Sequence, residues 1–140
     1  MRTTSVFAVA AVLFACTGCA SPRAAGPQTC AAGLSRATTA ELVFGRDIGG
    51  ATTVSEGDWK VFLDQDVTPR FPDGLSVMDV QGQWRASNGQ IVREPSKMLY
   101  LVLDGGPDDP AKIAAIREGY KRRFHQQSVL LIIRPACVSF

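Results

Sequence analysis

Between Phe71 and Leu103 the chain reads FPDGLSVMDVQGQWRASNGQIVREPSKMLYLVL, a pattern with a period of two. Ser76, Met78, Val80, Gly82 and Trp84 share one parity, and Leu75, Val77, Asp79, Gln81, Gln83 and Arg85 share the other. Successive side chains of a strand point to opposite faces, so the first set is expected to face the core and the second to turn polar towards a hairpin tip. Asn88-Gly89 suits the two positive-φ positions of a type I′ turn, which predicts a two-residue hairpin loop. That turn would set Arg85 opposite Val92, Trp84 opposite Arg93, Gln83 opposite Glu94 and Gly82 opposite Pro95. A bulge is expected at the last pair, because Pro offers no N–H to a ladder. Lys97 to Leu103 is apolar on both parities and reads as a central strand covered on both faces.

The flanking segments give a regular succession. Strand one is expected over Glu41 to Ile48, with Leu42 and Phe44 on one face and Gly49-Gly50 as its end. Ser55 and Asp58 have the spacing of a capping box, and Val54 and Trp59 that of a hydrophobic staple. Trp59, Phe62, Leu63 and Val67 continue as a helical stripe, which Pro69 stops. After Asp104-Gly105-Gly106-Pro107, Asp109 is expected to cap a second helix with Pro110 at its first position. Ile113, Ile116, Tyr120 and Phe124 form its inner stripe, and Val129 to Arg134 reads as the last strand. Strand, helix, strand, strand, helix, strand is the split βαβ order, so the expected fold is α+β and ferredoxin-like: a four-stranded antiparallel sheet with two helices on one face. Its other face would await a partner subunit, a ligand or more of the chain.

Composition narrows the setting. The 140 residues suffice for one domain, and 15 Lys plus Arg against 13 Asp plus Glu leave no basic stripe for nucleic acid. Residues 1–19 read as a signal peptide, with Arg2 before an apolar run from Val6 to Ala15. The run Leu13-Phe14-Ala15-Cys16-Thr17-Gly18-Cys19-Ala20 is similar to a bacterial lipobox, which makes Cys16 or Cys19 the expected lipidated residue. Residues 20–39, rich in Ala, Gly, Pro, Ser and Thr, read as a flexible tether, and 40–140 as a single α+β domain. Export places Cys30 and Cys137 in an oxidising compartment, where a disulfide between them is expected. The split βαβ order makes the first and last strands antiparallel neighbours, which independently brings these two cysteines together.

Several blocks recur together: Leu42-Val43-Phe44-Gly45-Arg46, Val54-Ser55-Glu56 with Trp59 and Phe62-Leu63, and Val67-Thr68-Pro69-Arg70-Phe71-Pro72-Asp73-Gly74-Leu75. To these add Gly82-Gln83-Trp84-Arg85, Glu94-Pro95-Ser96-Lys97, Tyr120-Lys121-Arg122-Arg123-Phe124, Gln127-Ser128-Val129 and the Cys137 ending. In this order they resemble the bacterial family called domain of unknown function 3574, over roughly residues 30–140. The resemblance implies an exported domain and brings no activity, cofactor or catalytic residue with it.

Candidate chemistry is sparse. Arg46, Arg70, Gln83, Trp84, Arg85, Arg93 and Lys97, with Glu94 and Ser96 among them, are the expected ligand-binding residues; a guanidinium-rich pocket would take a carboxylate or phosphate. The competing reading is cross-strand support, with Trp84 stacked on Arg93 and Gln83 bonded to Glu94. His125 near a helix C-terminus has no nucleophile or second ligand at a useful spacing, and no metal set, phosphate loop or nucleophile elbow is present. No cofactor is expected. The functional expectation is an exported, lipid-anchored binding or structural module of the cell envelope, held to the membrane by its N-terminal lipid. It would bind a small anionic ligand or an envelope protein and self-associate through the open sheet face. The alternative is a small dimeric enzyme of the α+β-barrel kind.

Overall fold

The computed structural model describes residues 29–48 and 52–140. The segment read as a leader, with Cys16 and Cys19, and residues 20–28 of the tether lie outside them. Strand β1 (Ser35–Gly45) is followed by a two-residue ladder of β2 (Asp47–Ile48) with β3 (Thr52–Thr53). Helix α1 (Glu56–Phe62) runs on into a π-helical turn (Leu63–Val67), and Pro69 follows. Then come β4 (Ser76–Arg85), β5 (Ile91–Leu103), α2 (Asp109–Phe124) and β6 (Leu130–Val138). The four long strands form one antiparallel sheet in the order β4-β5-β1-β6, the ferredoxin-like arrangement.

Local chemistry sets the boundaries. Ser55 caps α1 as a full capping box: its hydroxyl accepts from the Asp58 N–H at 3.1 Å, and Asp58 Oδ2 accepts from the Ser55 N–H at 3.2 Å. Val54 and Trp59, the staple pair, are both buried in the core. α2 begins one residue earlier than expected. Asp108 occupies the cap position without a side-chain bond, and Asp109 is buried and accepts from the Gly105 N–H at 3.1 Å. β1 starts at Ser35, inside the segment read as tether, because Ser35 to Val43 pair with Val138 to Leu130 of β6. Pro135 is tolerated within β6 because β6 is an edge strand.

The core lies between the sheet and both helices. Ala40, Leu42 and Phe44 of β1 and Leu99, Leu101 and Leu103 of β5 meet Trp59, Phe62, Ile113, Ile116, Tyr120 and Phe124. The Phe44 and Tyr120 rings meet edge-on, with centroids 4.8 Å apart. At the far end of β1 and β6 a disulfide joins Cys30 to Cys137, with Cα atoms 5.6 Å apart.

The hairpin departs from its expected register. Ala86 pairs with Gln90, its N–H reaching the Gln90 carbonyl at 2.9 Å, so the loop holds three residues, Ser87, Asn88 and Gly89. The Gly89 N–H closes a turn on the Ala86 carbonyl at 2.9 Å, and Gly89 then takes a φ of 85°. This is the three-residue loop with a glycine bulge, for which Asn-Gly serves as well as it does for a type I′ turn. Every pair therefore slips by one: Arg85 meets Ile91, Trp84 meets Val92, Gln83 meets Arg93, Gly82 meets Glu94 and Gln81 meets Pro95.

No bulge interrupts the ladder at Pro95. Its carbonyl accepts from the Arg46 N–H at 3.1 Å, so its nitrogen also faces the β1 side, where β1 has just ended. The face assignment of β4 is also reversed. Val77, paired with Leu99, packs against the core, while Met78 and Trp84 lie on the open face, 44% and 41% exposed. The odd residues of β4 turn polar because the outer half of the hairpin extends past the buried helical stripes into solvent.

Candidate functional site

Three segments converge at the end of β1, on the sheet face opposite the helical core. The hairpin contributes Gly82, Gln83, Trp84, Val92, Glu94 and Ser96; β1 and its extension contribute Val43, Gly45 and Asp47; the α2–β6 connection contributes His125 to Ser128. Between them is an open cleft of about 570 Å³, a size that accommodates a small organic molecule.

At the base of the cleft is Glu94, whose side chain is folded inwards to leave the residue 9% exposed. Glu94 Oε1 accepts from the Trp84 Nε1–H at 2.9 Å, and Oε2 accepts from the Asp47 N–H at 3.1 Å. Two glycines make room for this arrangement. A Cβ on Gly45 would lie 2.6 Å from Glu94 Oε1, and one on Gly82 would lie 2.8 Å from Ser96 Oγ. Glycine within a strand weakens it, so these two positions mark close approaches, Gly45 to the Glu94 carboxylate and Gly82 to the Ser96 hydroxyl.

The base is held by α2 and by the connection that follows it. The Tyr120 phenol donates to the Gly45 carbonyl at 2.9 Å, and Gln126 Nε2 donates to the Asp47 carbonyl at 2.8 Å. Burial pushes the Tyr120 phenol well above its ordinary value, so it stays a neutral donor across the usual pH range. His125 ends α2 in the left-handed conformation (φ 54°), which turns the chain across the mouth of the cleft.

Of the nine residues weighed as a ligand site, Gln83, Trp84, Glu94 and Ser96 line this cleft. Arg46 and Lys97 meet elsewhere, around Glu56: the Arg46 guanidinium lies 2.6 Å from Glu56 Oε1 and Lys97 Nζ 2.9 Å from Oε2. Lys97 is 5% exposed and also pairs with Asp79, its neighbour across the ladder. The Asp79 and Glu56 carboxylates raise the Lys97 pKa against the opposing effect of burial. The Lys97 hydrogen bond, assisted by Arg46, lowers that of Glu56. Arg70 donates to the Asp66 carbonyl, near the end of the π turn. Arg85 and Arg93 are exposed on the hairpin tip. The guanidinium groups therefore do not share one pocket. Trp84 sits opposite Val92 and not Arg93, so its indole bonds diagonally to Glu94.

The residues that sequence reasoning passed over are Gly45, Asp47 and Gln126 to Ser128. The strand glycines carried the available signal. Among the described residues no cluster of three or more His, Cys, Asp or Glu side chains is placed to hold a metal.

A family model described as "Protein of unknown function (DUF3574)" matches residues 39–140. No curated protein matches the chain. Solved structures with this fold include a phage SAM lyase in complex with S-methyl-5′-thioadenosine, at 20% identity and a TM-score of 0.60, covering 74% of this chain and 90% of that one. A phage SAM lyase in the apo state matches at 19% identity and a TM-score of 0.57, covering 82% and 97%. CutA from Synechococcus elongatus complexed with a Bis-Tris molecule matches at 10% identity and a TM-score of 0.49, covering 76% and 87%. At these identities the likeness to the lyase is one of fold.

Proposed function

This chain belongs to the family described as "Protein of unknown function (DUF3574)", and on that footing we propose that it is an exported, lipid-anchored binding module of the bacterial cell envelope whose ligand seats in the cleft over Glu94. The observation that carries this reading is the buried Glu94 carboxylate at the base of an open cleft, with Gly45 leaving it room. The leader, the lipobox-like run with Cys16 or Cys19, and the Cys30–Cys137 disulfide support passage through an oxidising compartment. The open sheet face, with Met78 44% and Leu130 54% exposed, supports self-association of two copies.

Native mass spectrometry tests the reading on full-length protein released from its own envelope with detergent. A small bound mass that is lost in Gly45→Ala, where the new Cβ pushes the Glu94 carboxylate aside, supports it. A bare protein from several preparations overturns it.

One observation favours an enzymatic reading as well. The same fold is found in a phage SAM lyase in complex with S-methyl-5′-thioadenosine, at a TM-score of 0.60. Incubation of this protein with SAM, followed by chromatography for S-methyl-5′-thioadenosine, decides it. Product formation that Glu94→Gln abolishes would move the cleft from binding to catalysis.

A further inference from the structure

Resting on the reading of the cleft as a ligand site, we infer that its ligand is a small organic cation with alkyl groups on the charged centre, seated between Glu94 and Trp84. The sign of the cleft carries this. Its lining includes the Glu94 carboxylate, with Asp47 and His125 beside it, and among the described residues contains no lysine or arginine. The pleat sorts the charges of β5: Glu94 and Ser96 face the cleft, while the next residues in either direction, Arg93 and Lys97, point to the other side of the sheet. The Arg46 side chain is drawn to Glu56 and to the Val54 carbonyl, 2.7 Å from its Nε. A cleft lined by one sign of charge concentrates ligands of the opposite sign.

Shape and donor count define the cation further. Each Glu94 oxygen accepts one N–H and keeps a further lone pair for a bound charge. The Trp84 indole is tethered to that carboxylate by its own N–H, so ring and charge occupy one wall of the cleft. An aromatic face beside an anionic oxygen suits a diffuse, alkylated cation, which needs no hydrogen-bond acceptors and loses little hydration on entry. A hard divalent ion asks for several oxygen ligands at once, which the described residues do not group together.

Three soluble probes of similar size separate the cases: choline, its neutral isostere 3,3-dimethylbutan-1-ol, and the anion isethionate. Each is titrated into full-length protein in detergent and followed by calorimetry and by the Trp84 side-chain resonance. Choline should bind at least about tenfold more tightly than the alcohol, a margin of about 1.4 kcal/mol. Glu94→Gln, which retains an acceptor for Trp84, should reduce that margin to near equality. Should Glu94→Gln fail to fold, Trp84→Leu should lower choline affinity severalfold without improving the alcohol. Equal binding of choline and alcohol, or preference for isethionate, overturns the cationic ligand and leaves the cleft as a ligand site. Absence of binding by all three, with no movement of the Trp84 resonance, overturns both.

Discussion

Trp84 and Glu94 are bonded side chain to side chain at 2.9 Å, across a ladder in which neither is the other's direct partner. The Asp47 N–H reaches the second oxygen of the same carboxylate. Glu94→Ala should therefore cost about 1–3 kcal/mol in urea denaturation, since two donors lose their acceptor. Glu94→Gln should cost clearly less. Equal losses would mean that both oxygens must accept, since Gln keeps the stem and one acceptor.

Glycine substitutions should separate by sign. Gly45→Ala places a Cβ 2.6 Å from the Glu94 carboxylate and should lower the melting temperature. Gly119→Ala, inside α2, meets only ordinary contacts at 3.7 Å or more and should stabilise the protein by up to about 1 kcal/mol. Thermal melts of the two variants side by side check both directions.

Reduction should matter greatly. The Cys30–Cys137 bridge closes a sequence separation of 107 residues, and the chain-entropy account assigns such a loop about 4–5 kcal/mol. Cys137→Ser should lose about that much in oxidising buffer, and reductant should bring the wild type down to the variant. Identical melting with and without reductant would show that the bridge contributes nothing.

The cluster around Glu56 sets the pH dependence. Lys97, raised above its ordinary 10.5, contributes stability that is complete below that pH and is lost as the pH rises through the raised value. Glu56, lowered from 4.5, contributes stability present above that pH and lost as the pH falls through the depressed value. Lys97→Met removes the main cause of the Glu56 shift, so its acid limb should be flatter than that of the wild type. Denaturation midpoints across pH, taken for both proteins, check this.

Much of the fold was legible because it is written locally. Ser55 and Asp58 name a helix start by spacing alone, and the stripe from Ile113 to Phe124 names the inner face of α2. The split βαβ order and the two cysteines pointed to the same strand pair. The site was less legible. Asn88-Gly89 is compatible with two loop lengths, and choosing the shorter one moved Trp84 opposite Arg93 and hid its bond to Glu94. Arg46 and Lys97 were expected to face a ligand, but sequence does not reveal that Glu56, near in chain to neither hairpin strand, engages both. Gly45 shows its purpose only once the Glu94 oxygens are placed beside it.

The position of the disulfide gives the domain a mechanical polarity. Force applied at the N-terminal end reaches Cys30 and passes through the sulfur bridge into Cys137, before it reaches the first β1 hydrogen bonds at Ser35. Strand β1, central in the sheet and bearing Gly45 at its far end, is thereby spared from being unzipped. A pull from that end loads β1 and β6 together, at the end of β1 opposite the cleft.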